Sequence, residues 1–244
     1  MIIFDPNKKI YYSTKINSPD IFSAFGTKAL NATDDNKAVE EFCKENDINL
    51  DIVYRPVQVH SSKVKIVENT GDVAKEEGDG VITDKKNVAL VIRTADCVPI
   101  IFSDKKVGTV GISHQGWRGT FDEMVKEMIQ NFESKGSKKK DLSAAIGPCI
   151  GLCCFEVKDD VFSLFKDKFN KYHSEVTVER DDKKYINLAH LNYLLMLECG
   201  LTKDQIDHFP FCTFCNKDLF FSYRRDYHTN YAQFGQQLSF IIRT

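Results

Sequence analysis

Val107-Gly108-Thr109-Val110-Gly111-Ile112-Ser113-His114-Gln115-Gly116-Trp117-Arg118-Gly119-Thr120 reads as a strand that turns into a helix. Residues 107–113 form an apolar, strand-like run. Beyond the glycine-flanked turn, Phe121, Met124, Val125, Met128, Ile129 and Phe132 keep helical spacing, and Gly136 marks the stop. Upstream, 57–67 and 81–93 read as strands, with shorter runs near 144–147 and 219–223. Thr33–Asn46 reads as a helix with Ala38, Val39, Phe42 and Cys43 on one face and Asp34 and Asp35 at its positive N-terminal end. A helix near 158–169 presents Val161, Phe162, Phe165 and Phe169. Another starts at Asn187 as cap, presents Leu188, Leu191, Leu194 and Leu195, and stops near Gly200. Strands and helices mix without strict alternation, which predicts a mixed α+β fold rather than a doubly wound sheet. No linker or internal repeat divides the chain, so residues 1–244 are expected to form a single domain.

The 244 residues are 42% hydrophobic and 28% charged, ordinary for a globular protein. With 33 basic against 35 acidic residues, the chain lacks the basic excess of a nucleic-acid or membrane-surface binder. Lys138-Lys139-Lys140 reads as a solvated loop. The N-terminus has no signal-peptide pattern, and no run approaches the ~20 apolar residues of a membrane span. Eight cysteines are too few for a disulfide scaffold at this length, and read as reduced thiols of a cytoplasmic protein.

His60, Cys97 and His114 each sit at or just past the end of a strand-like run. Two imidazoles and a thiolate suit zinc, and three protein ligands leave a fourth position for water or substrate. Taken singly, each has a plainer alternative: Cys97 as a small buried hydrophobe, His60 as a hydrogen-bonded structural histidine. In Thr94-Ala95-Asp96-Cys97-Val98-Pro99, Pro99 cannot donate to a ladder, so a regular strand should falter near it and put Asp96 and Cys97 at an irregular position, where side chains can face a cleft. Arg118, at a helix start, could dock a phosphate or carboxylate, with Trp117 as core. Arg224 and Arg225, beside Phe220, Phe221 and Tyr223, could bind phosphate near a stacked base; the alternative is an Arg225–Asp226 surface ion pair over an aromatic core. Cys149 and Cys154 could line a pocket but read as buried thiols. Cys212-Thr213-Phe214-Cys215 has C-x-x-C spacing, yet a structural zinc site needs two more ligands, so the pair reads as reduced cysteines. His173, His190, His208 and His228 read mostly as surface or helix-face residues.

Seven segments in fixed order resemble one family. They are Gln58-Val59-His60, Gly78-Asp79-Gly80-Val81-Ile82-Thr83, Ala95-Asp96-Cys97-Val98-Pro99, His114-Gln115-Gly116-Trp117-Arg118-Gly119, Ile146-Gly147-Pro148-Cys149-Ile150, Phe155-Glu156-Val157 and Phe221-Ser222-Tyr223-Arg224-Arg225-Asp226. Several motifs in order are far more specific than any one alone. The family is the YfiH-like family, long labelled multicopper polyphenol oxidase or laccase and now described as purine nucleoside phosphorylase with adenosine deaminase activity. The resemblance implies a single α/β/β/α-type sandwich with mixed sheets, and zinc on His60, Cys97 and His114. Two departures stand out: Gln115 where the family usually has alanine, and no Thr-Gly-Arg segment after Asp226. Both put the substrate rim, and with it the nucleoside preference, in question.

The resemblance implies phosphorolysis of adenosine, inosine and methylthioadenosine, and hydrolytic deamination of adenosine. Asp96, Cys97 and His114 are then the candidate catalytic residues, with Asp96 either a proton shuttle or a support for a ligand histidine. Arg118, Arg224 and Arg225 are the candidate phosphate ligands. A multicopper oxidase needs many histidines, often as His-x-His; this chain has six and no such pair. Copper could still occupy the zinc position. The competing readings are a cysteine or metal-dependent hydrolase of another small substrate, using Cys97 and His114, and a metal-dependent binding protein without turnover.

Overall fold

The computed structural model describes residues 1–30, 35–68, 76–227, 229 and 234–244. Thr33 and Asp34 of the first expected helix, His228, and residues 230–233 of the segment after Asp226 lie outside them. In chain order the strands are β1 (Ile2–Asp5), β2 (Ile10–Ser13), β3 (Ile21–Gly26), β4 (Ile52–Tyr54), β5 (Val64–Val67), β6 (Gly80–Thr83), β7 (Val88–Thr94), β8 (Val98–Asp104), β9 (Thr109–Gln115), β10 (Leu142–Ile146), β11 (Glu156–Val157), β12 (Thr177–Arg180), β13 (Lys183–Ile186), β14 (Ile206–His208) and β15 (Gln237–Arg243). The helices are α1 (Asp35–Glu45), α2 (Trp117–Phe121), α3 (Met124–Ser134), α4 (Asp159–Lys168), α5 (His173–Val176), α6 (Leu188–Glu198) and α7 (Tyr223–Asp226).

Two mixed sheets carry the fold. The first runs β1-β2-β3-β15-β7-β4 and the second β14-β10-β8-β9-β6-β5, with a small sheet β11-β13-β12 beside them. Three apolar layers hold them. Leu90, Ile92, Phe25 and Ile241 of the first sheet meet Ile101, Val110 and Ile112 of the second. Val39, Phe42 and Cys43 of α1 cover the other face of the first sheet at Ala24, Val91 and Phe240. Met128 and Phe132 of α3, Phe165 of α4 and Leu191 and Leu195 of α6 cover the second sheet at Ile100 and Phe102. The result is helix, sheet, sheet, helix. The centre of each sheet is apolar on both faces, because each face has a cover. That is why β8 and β9 are buried at every position. Among the described residues no helix is long and apolar enough to cross a membrane.

The mixed α+β architecture matches the expectation, and Asn187 caps α6 by accepting from the His190 N–H. Several local readings need correction. The run 81–93 is two strands in different sheets, β6 and β7, broken at a turn where Asn87 takes φ +59°. Only 64–67 of the expected 57–67 strand forms; residues 58–63 are loop. Residues 219–223 lead into α7 rather than forming a strand. The helix after His114 is split into α2 and α3 at Glu123, whose φ is +56°. The break expected near Pro99 falls at Ala95-Asp96-Cys97, between β7 and β8. Pro99 is the second residue of β8, near a strand start, where its missing N–H is tolerated.

Phe102 is fully buried between the second sheet and α3, 6.0 Å from the Phe132 ring. Phe102→Ala leaves a cavity that the flanking sheet cannot collapse into, so unfolding free energy is expected to fall by ~3–5 kcal/mol. The check is a urea titration, with the midpoint lowered and the slope unchanged.

Candidate metal centre and cleft

The chain leaves the first sheet at Thr94 and enters the second at Val98, so Ala95-Asp96-Cys97 is the step between sheets. Asp96 makes this step with φ +88°. In the second sheet, Pro99 pairs with His114 and Gly80 with Ser113. That register sets Asp79 beside His114, whose N–H donates to the Asp79 carbonyl at 2.7 Å. Cys97 and His114 are thereby brought close by strand pairing alone.

His60 arrives differently. It lies on a loop, with φ +58°, and not at a strand end. Two contacts fix that loop. Gln58 lays its amide along β7, donating to the Arg93 carbonyl at 2.9 Å and accepting from the Arg93 N–H at 2.8 Å. Asp79, fully buried, accepts from the N–H groups of Val59, His60 and Ser61 and from the Ser61 hydroxyl, at 3.2, 3.1, 2.6 and 2.8 Å. The same carboxylate takes His114 Nδ1 at 2.8 Å. With Nδ1 tied to Asp79, Nε2 is the His114 nitrogen left for a ligand, as in carboxylate–histidine–metal arrangements.

The donor atoms of His60, Cys97 and His114 lie within 4.8 Å of one another. Cys97 Sγ is 3.9 Å from His60 Nε2, and the two imidazoles meet edge-on with centroids 4.8 Å apart. Gly116 keeps the space open: a Cβ there would stand 2.8 Å from His60 Cδ2 and 3.2 Å from Cys97 Sγ. Two nitrogens, one sulfur and a carboxylate-anchored histidine fit a zinc or copper ion.

The charges agree with that use. Burial alone would push the Cys97 thiol up, but the adjacent His114 and His60 outweigh it and hold it at about 6. Burial would lower His114, yet Cys97 and Asp79 raise it to about 9. Asp79 is buried too, but its hydrogen bonds from His114 and Ser61 keep its carboxyl below the ordinary value.

The triad opens on a cleft of about 680 Å³, a size suited to a small organic substrate. Arg93, Arg118 and Arg224 line it, together with Trp117, Phe155, Tyr223 and Phe234. Arg118 lies 4.5 Å over the Trp117 ring. Arg224 lies 5.6 Å over Phe155 and donates to the Glu156 carbonyl at 2.9 Å. Asp96 also borders the cleft. It accepts from Thr213 Oγ1 at 2.6 Å, Ser222 Oγ at 2.9 Å and the Arg224 N–H at 2.8 Å. Burial outweighs these bonds and raises its carboxyl above the ordinary range.

The cleft therefore gathers His60, Asp96, Cys97, His114, Arg118 and Arg224, but not Arg225. The Arg225 guanidinium forks onto Asp226 at 2.7 and 2.8 Å and donates to the carbonyls of Thr213, Phe214 and Phe220. It ties loops together and has no N–H left for a phosphate. The acid that holds His114 is Asp79 rather than Asp96. Asp79 could have been suspected from sequence as an acid between two glycines at the mouth of an apolar strand. Arg93 could have been noticed as the lone charge in the run 88–95. Gln115 follows His114 on β9 and so points to the opposite face. It is buried, donates to Ser113 Oγ at 3.0 Å, and does not line the cleft. It bears on packing rather than on the substrate rim.

A family model described as "Multi-copper polyphenol oxidoreductase laccase" matches residues 18–244. The chain is similar to purine nucleoside phosphorylase YlmD of Bacillus subtilis strain 168, 33% identical over 193 residues, 75% of this chain and 68% of that one. It is also similar to adenosine deaminase RL5 from an unknown prokaryotic organism, 32% identical over 187 residues, 73% of this chain and 71% of that one. The solved structure of YlmD from Geobacillus stearothermophilus matches with a TM-score of 0.82 and 26% identity, over 96% of each chain.

Three outcomes test the centre. In metal-free protein, alkylation of Cys97 by iodoacetamide should rise as pH rises through about 6, because the thiolate is the nucleophile. His114→Ala should move that midpoint up toward the ordinary 9.0. Asp79→Asn removes the negative charge that orients His114 and turns one of its two acceptor oxygens into a donor, and metal affinity should fall ~10–100-fold in a competition titration with a chelating dye.

Proposed function

The chain belongs to the multi-copper polyphenol oxidoreductase laccase family, and from that membership we propose that it is a metal-dependent enzyme of purine nucleosides, with zinc held by His60, Cys97 and His114. Relatives that carry the names purine nucleoside phosphorylase and adenosine deaminase support the substrate class. The observation that carries the proposal is the convergence of an N,S,N donor set at the wall of a cleft that also holds three arginines and several aromatic rings. The reactions are phosphorolysis of adenosine, inosine and methylthioadenosine, and deamination of adenosine. Copper suits the same donors.

The ion, when bound, supplies a Lewis acid beside the cleft. The chain's own residues do the rest. Trp117, Phe155 and Tyr223 offer faces on which a purine stacks. In phosphorolysis a phosphate oxygen bonds to C1′ of the sugar as the bond from C1′ to the purine nitrogen breaks and the purine takes a proton. Arg224 and Arg118, with Arg93 also lining the cleft, hold the phosphate and offset charge developing on it. In deamination water adds at C6 and ammonia leaves, so one proton must reach the ring and another the leaving nitrogen. Asp96 borders the cleft next to Cys97, and its raised carboxyl is the candidate proton carrier. Its three hydrogen bonds hold it in place.

The low Cys97 thiol favours one other assignment, a cysteine hydrolase with His114 as its base. That assignment requires activity in metal-free protein and its loss on Cys97 alkylation.

The deciding assay incubates zinc-loaded protein with adenosine, with and without phosphate. Adenine and ribose 1-phosphate are expected only with phosphate, inosine and ammonia in either case. No product under both conditions sinks the proposal. Arg224→Ala should raise the KM for phosphate more than that for nucleoside. Asp96→Asn should lower kcat for deamination ~10²–10⁴-fold, the usual contribution of a positioned acid or base.

A further inference from the structure

Cys153, Cys154, Cys212 and Cys215 meet where two loops touch, and their four sulfurs all lie within 4.8 Å of one another. Cys215 Sγ is 3.4 Å from Cys154 Sγ and 3.8 Å from Cys153 Sγ. A tetrahedron of sulfurs around zinc, with bonds of ~2.3 Å, has edges of about 3.8 Å. None of the four is in a disulfide. The backbone also turns toward this point: the Gly151 N–H donates to Cys212 Sγ at 3.2 Å. At Gly151 the loops leave little room for a side chain: a Cβ there would lie 3.3 Å from Cys153 Sγ and 3.2 Å from Cys212 Cβ. The two loops are already in register, since the Thr213 N–H donates to the Cys149 carbonyl at 3.0 Å.

We propose that these four cysteines form a second metal site, a closed tetrathiolate centre for zinc, separate from His60, Cys97 and His114. Four protein ligands leave no vacant coordination position, so this centre is structural rather than catalytic. Four soft thiolates in this spacing select zinc over hard cations such as magnesium or calcium. The C-x-x-C pair supplies half the ligands, and the adjacent pair Cys153-Cys154 supplies the rest from a distant part of the chain.

The position gives the ion a purpose. Thr213, inside the C-x-x-C loop, donates to Asp96. Phe155, which follows Cys154 directly, lines the cleft, and the next residue, Glu156, accepts from Arg224. Zinc here clamps together the two loops that seat Asp96 and Arg224. The site stands independently of any nucleoside chemistry at the cleft.

The test uses the full chain with the first centre removed, His60→Ala/Cys97→Ala, produced with zinc and purified in reducing buffer. Elemental analysis should find one zinc per chain, lost when Cys153→Ser and Cys215→Ser are added. Cobalt substituted into the same protein should show thiolate-to-metal charge-transfer absorption, lost with the same two changes. Wild-type protein provides a reading free of folding effects. Cys153 and Cys215 are solvent-exposed, yet iodoacetamide should modify them only after a chelator strips the metal, as peptide mass spectrometry would report. Prompt alkylation of both in untreated protein overturns the proposal. So does a zinc-free His60→Ala/Cys97→Ala protein, iron in place of zinc, or a native disulfide among the four.

Discussion

The buried carboxylate of Asp79 is the contact on which the rest of the site depends. A charged group with no exposure is tolerable only when its oxygens are fully hydrogen-bonded. Asp79 meets that condition by drawing in the N–H groups of three consecutive loop residues, Val59, His60 and Ser61, together with the Ser61 hydroxyl and the His114 ring. The same bonds that keep the acid ionised hold His60 in a left-handed backbone conformation, which a non-glycine residue otherwise disfavours by roughly 1–2 kcal/mol. One side chain thus fixes the backbone of one candidate ligand and the tautomer of another.

The two buried acids of the site illustrate how environment assigns roles. Asp79 sits among donors that outweigh its burial, so its carboxyl is lowered and stays a fixed charge. Asp96 also accepts three hydrogen bonds, but burial wins there and its carboxyl is raised. Pairs of titratable groups pushed in opposite directions mark acid and base assignments in enzymes generally. The Cys97–His114 pair shows the same principle with signs reversed: each partner stabilises the charged form of the other.

The cleft arises from the step of the chain between sheets. β7 belongs to one sheet and β8 to the other, and the three residues between them cannot stay in either ladder. Their side chains and backbone groups turn to other partners. Asp96 collects Thr213, Ser222 and Arg224, and so draws α7 against the mouth of the sandwich. Arg225 completes that attachment from behind by binding three carbonyls and Asp226.

The sequence by itself determined the class of fold and much of the local structure. Hydrophobic period, the Asn187 cap and Gly136 placed helices, and apolar runs placed β7 and β9, because those signals depend only on near neighbours. It also named His60, Cys97 and His114, through residue type and through motif order. Only the tertiary structure decided which residues act together. The split of 81–93 into strands of two sheets, the pairing of β15 with β3 and β7, and the use of a loop for His60 rest on contacts between distant segments. So do the burial of Asp79, the diversion of Arg225 from any ligand, and the meeting of Cys153 and Cys154 with Cys212 and Cys215. Side-chain chemistry can be read along a chain, but hydrogen-bond partners and the convergence of donor atoms are set by packing, which local sequence does not encode.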